Sequence, residues 1–158
     1  MNEYRVERIN HHQRHLFAAL FNQYNIFLDE TSREKPVLHY MDERLSNSEP
    51  DIFIVLRNHP EACPVGFIQL YSICSSPNSL NTTIVNDLFV LPEYRKNGIA
   101  LKLIEAAVKF AINNRSALIQ LETLQDNLIA RKLFESVGFK SQTSESELNV
   151  YYIQFEFD

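Results

Sequence analysis

Between Pro92 and Ala100 the chain places two adjacent cations and a glycine directly ahead of a helical pattern, in the order Pro92-Glu93-Tyr94-Arg95-Lys96-Asn97-Gly98-Ile99-Ala100. A strand that ends in such a turn and passes into a helix gathers main-chain N–H groups without intrahelical acceptors, at the end where the peptide dipoles favour an anion. That arrangement can hold a phosphate. Gly98 permits close backbone approach, and Arg95 and Lys96 bring side chains able to pair with phosphate oxygens. The same residues also make an ordinary strand-to-helix turn with exposed cations, and spacing alone does not separate the two. An ATPase-type P-loop is excluded, because G-x-x-x-x-G-K-[ST] needs a second glycine and a following Lys-Ser/Thr, and the dinucleotide fingerprint is missing too.

Two other groups of reactive side chains have blander readings. His11, His12 and His15 cluster early, and His11 with His15 has helical i, i+4 spacing, but no H-E-x-x-H pattern forms, so a solvated helix face is expected and no metal. Cys63 and Cys74 are too far apart for a C-x-x-C motif and too few for a disulfide-stapled secreted domain, which leaves reduced thiols.

The elements that must position the basic turn follow from periodicity. Tyr4–Ile9 alternates as a short first strand, and a helix from Asn10 lines Leu16, Phe17, Leu20, Phe21 and Tyr24 along one face. A second helix is expected over Arg33–Leu45. Asp51–Leu56 and Val65–Ser75 read as a hairpin, Ser75–Ser79 as a turn, and Thr82–Val90 as the next strand, ended by Pro92. From Gly98 to Asn113, Ile99, Leu103, Ile104, Ala107, Val108, Ala111 and Ile112 keep a 3.6-residue period. Ala117–Thr123 is then a strand. Asn127–Val137 follows as a helix with Asp126 as its N-cap and Gly138 as its left-handed terminator, and Val150–Phe157 closes the chain as a strand. Ser141–Glu147 is polar enough for a loop.

At 158 residues, 45% of them hydrophobic, one domain spanning 1–158 is expected. A formal net charge of -5 disfavours nucleic acid and anionic membrane as partners and suits a cationic small substrate. No apolar run approaches the length of a membrane span and no secretory leader pattern opens the chain, so a cytoplasmic protein is expected.

Two segments carry a resemblance. Asp87-Leu88-Phe89-Val90-Leu91-Pro92-Glu93-Tyr94-Arg95-Lys96-Asn97-Gly98-Ile99-Ala100 resembles the acyl-CoA-binding motif of GNAT acetyltransferases, whose core is R-x-x-G-x-[GA]. Asp126-Asn127-Leu128-Ile129-Ala130-Arg131-Lys132-Leu133-Phe134-Glu135-Ser136-Val137-Gly138-Phe139 is similar to the family's second motif, N-x-x-A-x-x-L-[YF]-x-x-x-G-[FW]. The resemblance implies an α/β (α+β) GNAT fold: a mixed, mainly antiparallel sheet of six to seven strands with helices on both faces. It implies acetyl-CoA as cosubstrate and no metal. The fourth and fifth strands would part, with Leu88, Phe89 and Val90 offering backbone to the pantetheine arm. The N–H groups of Arg95, Lys96, Asn97, Gly98, Ile99 and Ala100 would hold the pyrophosphate, and the Val90 N–H would polarise the thioester carbonyl. Asn127 would bond the pantetheine or a water, or cap its own helix, and the two roles can coexist.

This chain departs from that pattern in two places. Phe134 stands where many members have a tyrosine assigned as the acid for the CoA thiolate, and a phenyl ring has no proton to give. Tyr151, Tyr152 or water are the substitutes, with no ground for choosing among them. Asn86-Asp87 stands where polyamine-type relatives have Glu-Asp, which makes Asp87 the nearest carboxylate for deprotonating an amine or holding a cationic one, with Glu122 next. Tyr24 belongs to the core or to the acceptor wall. The expected activity is direct acetyl transfer from acetyl-CoA to the primary amine of a small molecule. The alternatives are a protein or peptide amine acetyltransferase and, on account of Phe134, a catalytically weak acyl-CoA-binding module. The edge of Val150–Phe157 could support a homodimer.

Overall fold

The computed structural model describes residues 3–28, 50–58, 60–74, 80–142 and 145–157, so the helix expected over Arg33–Leu45 and the turn at Ser75–Ser79 lie outside the described residues. In chain order the elements are β1 (Tyr4–Arg8), a 3-10 turn (His11–Gln13), α1 (Arg14–Phe27), β2 (Asp51–Arg57), β3 (Cys63–Ile73), β4 (Thr82–Val90) and a second 3-10 turn (Pro92–Tyr94). There follow α2 (Ile99–Asn113), β5 (Leu118–Leu124), α3 (Leu128–Val137), β6 (Lys140–Gln142) and β7 (Leu148–Gln154). The strands form a seven-stranded sheet in the order β1-β2-β3-β4-β5-β7-β6. The mixed α/β architecture read from the sequence is the one observed. Among the described residues no helix is long and apolar enough to cross a membrane.

The chain divides into two compact units, residues 1–69 with 87–103 and residues 70–86 with 104–158. In the first, β1 and β2 pair antiparallel from Tyr4↔Arg57 to Arg8↔Phe53. Asn10 then turns the chain into α1 through a reciprocal cap: its side chain accepts from the His12 N–H while the Gln13 side chain accepts from the Asn10 N–H. The periodic face of α1 buries Phe17, Ala18 and Leu20 in a core shared with Ile52, Ile54, Leu56, Phe67 and Phe89. Full burial of each large side chain contributes about 1.5–3 kcal/mol. Phe67 is the hub, its ring centroid 5.0 Å from Phe17, 6.0 Å from Phe21, 5.7 Å from Tyr24 and 6.1 Å from Phe89.

Gly66 allows β3 to run this close to β4. A Cβ on it would lie 2.9 Å from the Phe89 carbonyl oxygen, a main-chain atom that cannot step aside alone.

In the second unit β4 pairs parallel with β5 from Thr82↔Leu118 to Ile84↔Gln120, where the registered ladder ends before Val85 and Asn86. The buried Thr83 and Ser116 hydroxyls, 2.7 Å apart, fasten the start of this ladder. Helix α2 buries Leu103, Ile104, Ala107, Phe110 and Ala111. Phe110 replaces the expected Ile112, which is exposed because it falls beyond the arc that those residues define.

Two expectations need correction. The cap of α3 is Asn127, not Asp126: its side chain accepts from the Ala130 N–H at 3.2 Å, whereas the Asp126 carbonyl takes the Leu128 N–H. The last strand is not an edge. Gly138, at φ +108°, ends α3 as expected and reverses the chain into β6, which pairs with β7 from Lys140↔Tyr152 to Gln142↔Val150. Since β5 flanks β7 on its other side over Leu118↔Gln154 to Leu124↔Leu148, the edge belongs to β6.

Candidate acetyl-transfer site

Every residue expected from the basic turn lies in the first unit. Pro92 starts the 3-10 turn that stops β4, and the Tyr94 and Arg95 N–H groups donate to Leu91 and Pro92 carbonyls. The backbone then enters the left-handed region twice, at Lys96 (φ 63°) and Gly98 (φ 73°). Such alternation turns successive N–H groups to one side and makes an anion-binding concavity. The side chain of Asn97 secures the turn, its amide donating to the Tyr94 and Arg95 carbonyls at 3.0 and 3.2 Å. Lys102 makes the first helical bond, to the Gly98 carbonyl at 3.1 Å, so the N–H groups ahead of it at the start of α2 stand outside the intrahelical ladder. Gly98 faces open space, since a Cβ there would meet nothing within 4 Å.

Arg95 has partners within the protein. Its Nε donates to the Val90 carbonyl at 3.1 Å and its guanidinium carbon lies 5.0 Å from the Phe27 ring centroid, a cation–π contact. These contacts set the guanidinium at the end of β4 and the end of α1, and the main-chain N–H groups and the exposed Lys96 are the other groups the turn can offer an anion.

Along β4 the main chain points to alternate edges. The Leu91 N–H donates to the Val65 carbonyl of β3 at 2.9 Å, so the Val90 N–H and C=O point to the opposite edge. Arg95 takes that carbonyl and the Val90 N–H stands beside it. Phe89 and Val90 are buried and Leu88 is half-buried, which gives this stretch apolar side chains around outward-facing peptide groups.

Asp87, two residues before Phe89 and on the same face of β4, meets two donors. Its Oδ1 accepts from the Tyr24 hydroxyl at 3.0 Å and its Oδ2 from the Gln69 amide at 3.3 Å. Tyr24 has the expected core role, its ring 5.8 Å from Phe21, 5.7 Å from Phe67 and 5.4 Å from Phe89, and its hydroxyl also bonds the Asp87 carboxylate. Gln69 was not foreseen. It is 2% exposed, shares the face of β3 that carries Phe67, and its Oε1 has no hydrogen-bond partner. A lone amide inside the apolar run Val65-Gly66-Phe67-Ile68-Gln69-Leu70 was the signal available in the sequence.

The remaining candidates lie in the second unit. Asn127 Oδ1 caps α3, leaving its amide hydrogens outside that bond. Phe134 is buried, with ring centroids 5.5 Å from Tyr151 and 6.1 Å from Phe139. The Tyr151 ring is fully enclosed, and its hydroxyl accepts from Arg131 Nε at 3.0 Å, while Tyr152 is half-buried. Glu122 is exposed on β5, opposite Val150 of β7. Among the described residues no three His, Cys, Asp or Glu side chains gather as a metal site.

The model of the Acetyltransferase (GNAT) family matches residues 11–139. The chain is 36% identical to the uncharacterized N-acetyltransferase YhfO of Bacillus subtilis (strain 168) over 126 residues, 80% of this chain and 83% of that protein. It is 28% identical over 75 residues to an aminoglycoside N(6')-acetyltransferase type 1 of Salmonella typhimurium, 48% of this chain and 49% of that one. Its fold matches the crystal structure of a probable acetyltransferase with a TM-score of 0.80 at 29% identity, covering 90% of this chain and 93% of the other.

Proposed function

Since the chain belongs to the GNAT family and is an acyl-CoA-dependent N-acetyltransferase with acetyl-CoA as cosubstrate, we propose that its acceptor is the primary amine of a small molecule, acetylated by direct attack in a ternary complex. The observation that carries this reading is the carboxylate of Asp87, held at both oxygens by Tyr24 and Gln69 within the aromatic cluster of α1, β3 and β4. A fixed anion set among apolar rings suits an ammonium head group. The net charge of -5 favours approach of a cation, and the matched stretch of the second relative belongs to a protein named as an aminoglycoside N(6')-acetyltransferase.

In this reading the N–H groups from Arg95 to Ala100 hold the pyrophosphate, the outward peptide groups of Leu88 and Val90 meet the pantetheine arm, and the Val90 N–H faces the thioester oxygen. Asp87 takes a proton from the ammonium directly or through water. The amine lone pair then forms the C–N bond as negative charge develops on the carbonyl oxygen, a change that a preoriented N–H stabilises. The C–S bond breaks and CoA departs as thiolate, while the nitrogen, left cationic by the attack, releases its second proton to water and becomes the amide. With Phe134 in place of an acid, the thiolate of a thiol with pKa about 8.5 leaves unassisted or takes its proton from water. The loss of acid assistance costs up to roughly 10²–10⁴ in rate without abolishing turnover.

Phe134 also favours a second reading, a catalytically weak acyl-CoA-binding module. The test follows free thiol over time with acetyl-CoA and a panel of diamines, amino acids and peptides. Thiol release that depends on small amines supports the proposal. Release with peptides alone points to a protein substrate, and acetyl-CoA binding without acceptor-dependent release points to the binder.

A further inference from the structure

Gln69 is the one side chain of the Asp87 cluster with an orphaned atom. Its Nε2 faces Asp87 Oδ2 at 3.3 Å, and this sets the orientation of the amide, because the reverse would bring Oε1 against a carboxylate oxygen. Oε1 is left buried with no partner. A buried acceptor without a donor is costly, and natural cores leave few. The rest of the cluster is committed: Tyr24 by ring packing and its hydroxyl bond, Phe67 and Phe89 by mutual packing. A group that brought an N–H to Oε1 would therefore relieve a deficit already present in the protein.

Resting on the small-amine reading above, we propose that Gln69 is a specificity-determining residue, which positions Asp87 through Nε2 and reads a second N–H of the acceptor amine through Oε1. The two acceptors sit on neighbouring strands, β3 and β4, and are tied by the Gln69–Asp87 hydrogen bond. A primary ammonium carries three N–H groups in a tetrahedral set. It can serve the carboxylate and the amide oxygen together and still have an N–H to lose before attack. An N-methyl ammonium has two, so once one is lost for attack a single N–H remains for the two acceptors, and an alcohol presents a single O–H; either leaves one acceptor unpaired. Sites built around such polar atoms reject analogues that lack the matching hydrogen far more strongly than apolar pockets reject a changed methylene. The site thus selects primary amines by counting hydrogens as well as by sensing charge.

The experiment compares wild type with Gln69→Leu, using the primary amine that gives the highest wild-type kcat/KM and its N-methyl derivative. Thiol release is the rate assay and calorimetry gives acetyl-CoA affinity. The expected result is a loss of about tenfold to hundredfold in kcat/KM for the primary amine, carried mainly by KM, with a much smaller loss for the N-methyl derivative. Selectivity therefore collapses while the acetyl-CoA Kd stays unchanged. Equal losses for both amines, no loss, or a weakened acetyl-CoA Kd would overturn the inference. Gln69→Met, matched in length, carries the same criteria should leucine disturb β3. A wild type that binds acetyl-CoA but releases no thiol with any small amine overturns the proposed function together with this inference. Normal wild-type turnover with an unaltered selectivity ratio in both variants overturns this inference alone.

Discussion

Replacing Gly98 by alanine separates the conformational cost of the turn from what the turn binds. Gly98 sits at φ +73°, where a Cβ presses on the following carbonyl at a cost of about 1–2 kcal/mol. Space adds nothing to that cost, because the added carbon would find no heavy atom within 4 Å. The unliganded variant is therefore expected to lose about 1–2 kcal/mol, which in a chain of this size lowers Tm by roughly 2–8 °C. Binding suffers by a different route, since the open space beside Gly98 is where the diphosphate bridge would come to rest. A methyl there displaces the anion from at least one N–H. A hydrogen bond to a charged group is worth about 1.5–3 kcal/mol, or roughly ten- to over a hundredfold in Kd. Gly98→Glu adds a negative charge and is expected to abolish binding. Thermal unfolding of the unliganded proteins measures the first effect and titration calorimetry with acetyl-CoA the second. A lowered Tm with an unchanged acetyl-CoA Kd in both variants would refute the assignment of the turn, and an unchanged Tm for alanine would refute the left-handed backbone.

The other perturbations act elsewhere in the site. Gly66→Ala drives a methyl against the Phe89 carbonyl and is expected to cost about 1–3 kcal/mol in chemical denaturation, with no compensating gain in activity. Tyr24→Phe keeps the ring packing and removes the hydroxyl donor to Asp87, so the amine KM rises several-fold while the acetyl-CoA Kd holds; an unchanged amine KM would show that the hydroxyl orients nothing. Asn127→Ala removes the α3 cap and lowers stability by about 0.5–2 kcal/mol. Asn127→Asp keeps a capping oxygen and loses only the amide hydrogens, so it is expected to retain Tm and weaken acetyl-CoA binding; equal effects of both variants on Tm and Kd would mean that the residue only caps.

Much of this was legible because it is local. The turn from Pro92 to Gly98, the amphipathic α2 and the glycine that ends α3 each depend on neighbours a few residues apart, and their chemistry is written in residue type. What escaped depends on distance across the sheet. Nothing near Gly66 in sequence announces that Phe89 passes within contact, and Gln69 becomes meaningful only once Asp87 is beside it. The charge of Arg95 was visible in the sequence, while the Val90 carbonyl and the Phe27 ring that fix its guanidinium were not. The cap of α3 was misplaced by one residue because Asp and Asn are about equally good caps and only the backbone geometry selects between them. The Tyr24 hydroxyl bond to Asp87 was likewise invisible in residue type, which showed only that the ring suits a core.

The reversal at Gly138 has a bearing on how the molecule behaves in a crowded solution. Val150, Tyr151, Tyr152 and Ile153 form a run that would readily add to a strand of another molecule if its flank were bare. Lys140-Ser141-Gln142 occupies that flank, and being short, exposed and polar it makes a poor template for further growth. A substitution that forbids the left-handed backbone at Gly138 would strip this guard and leave a sticky strand uncovered, so fibrous or amorphous deposits would form before any loss of acetyl transfer became measurable.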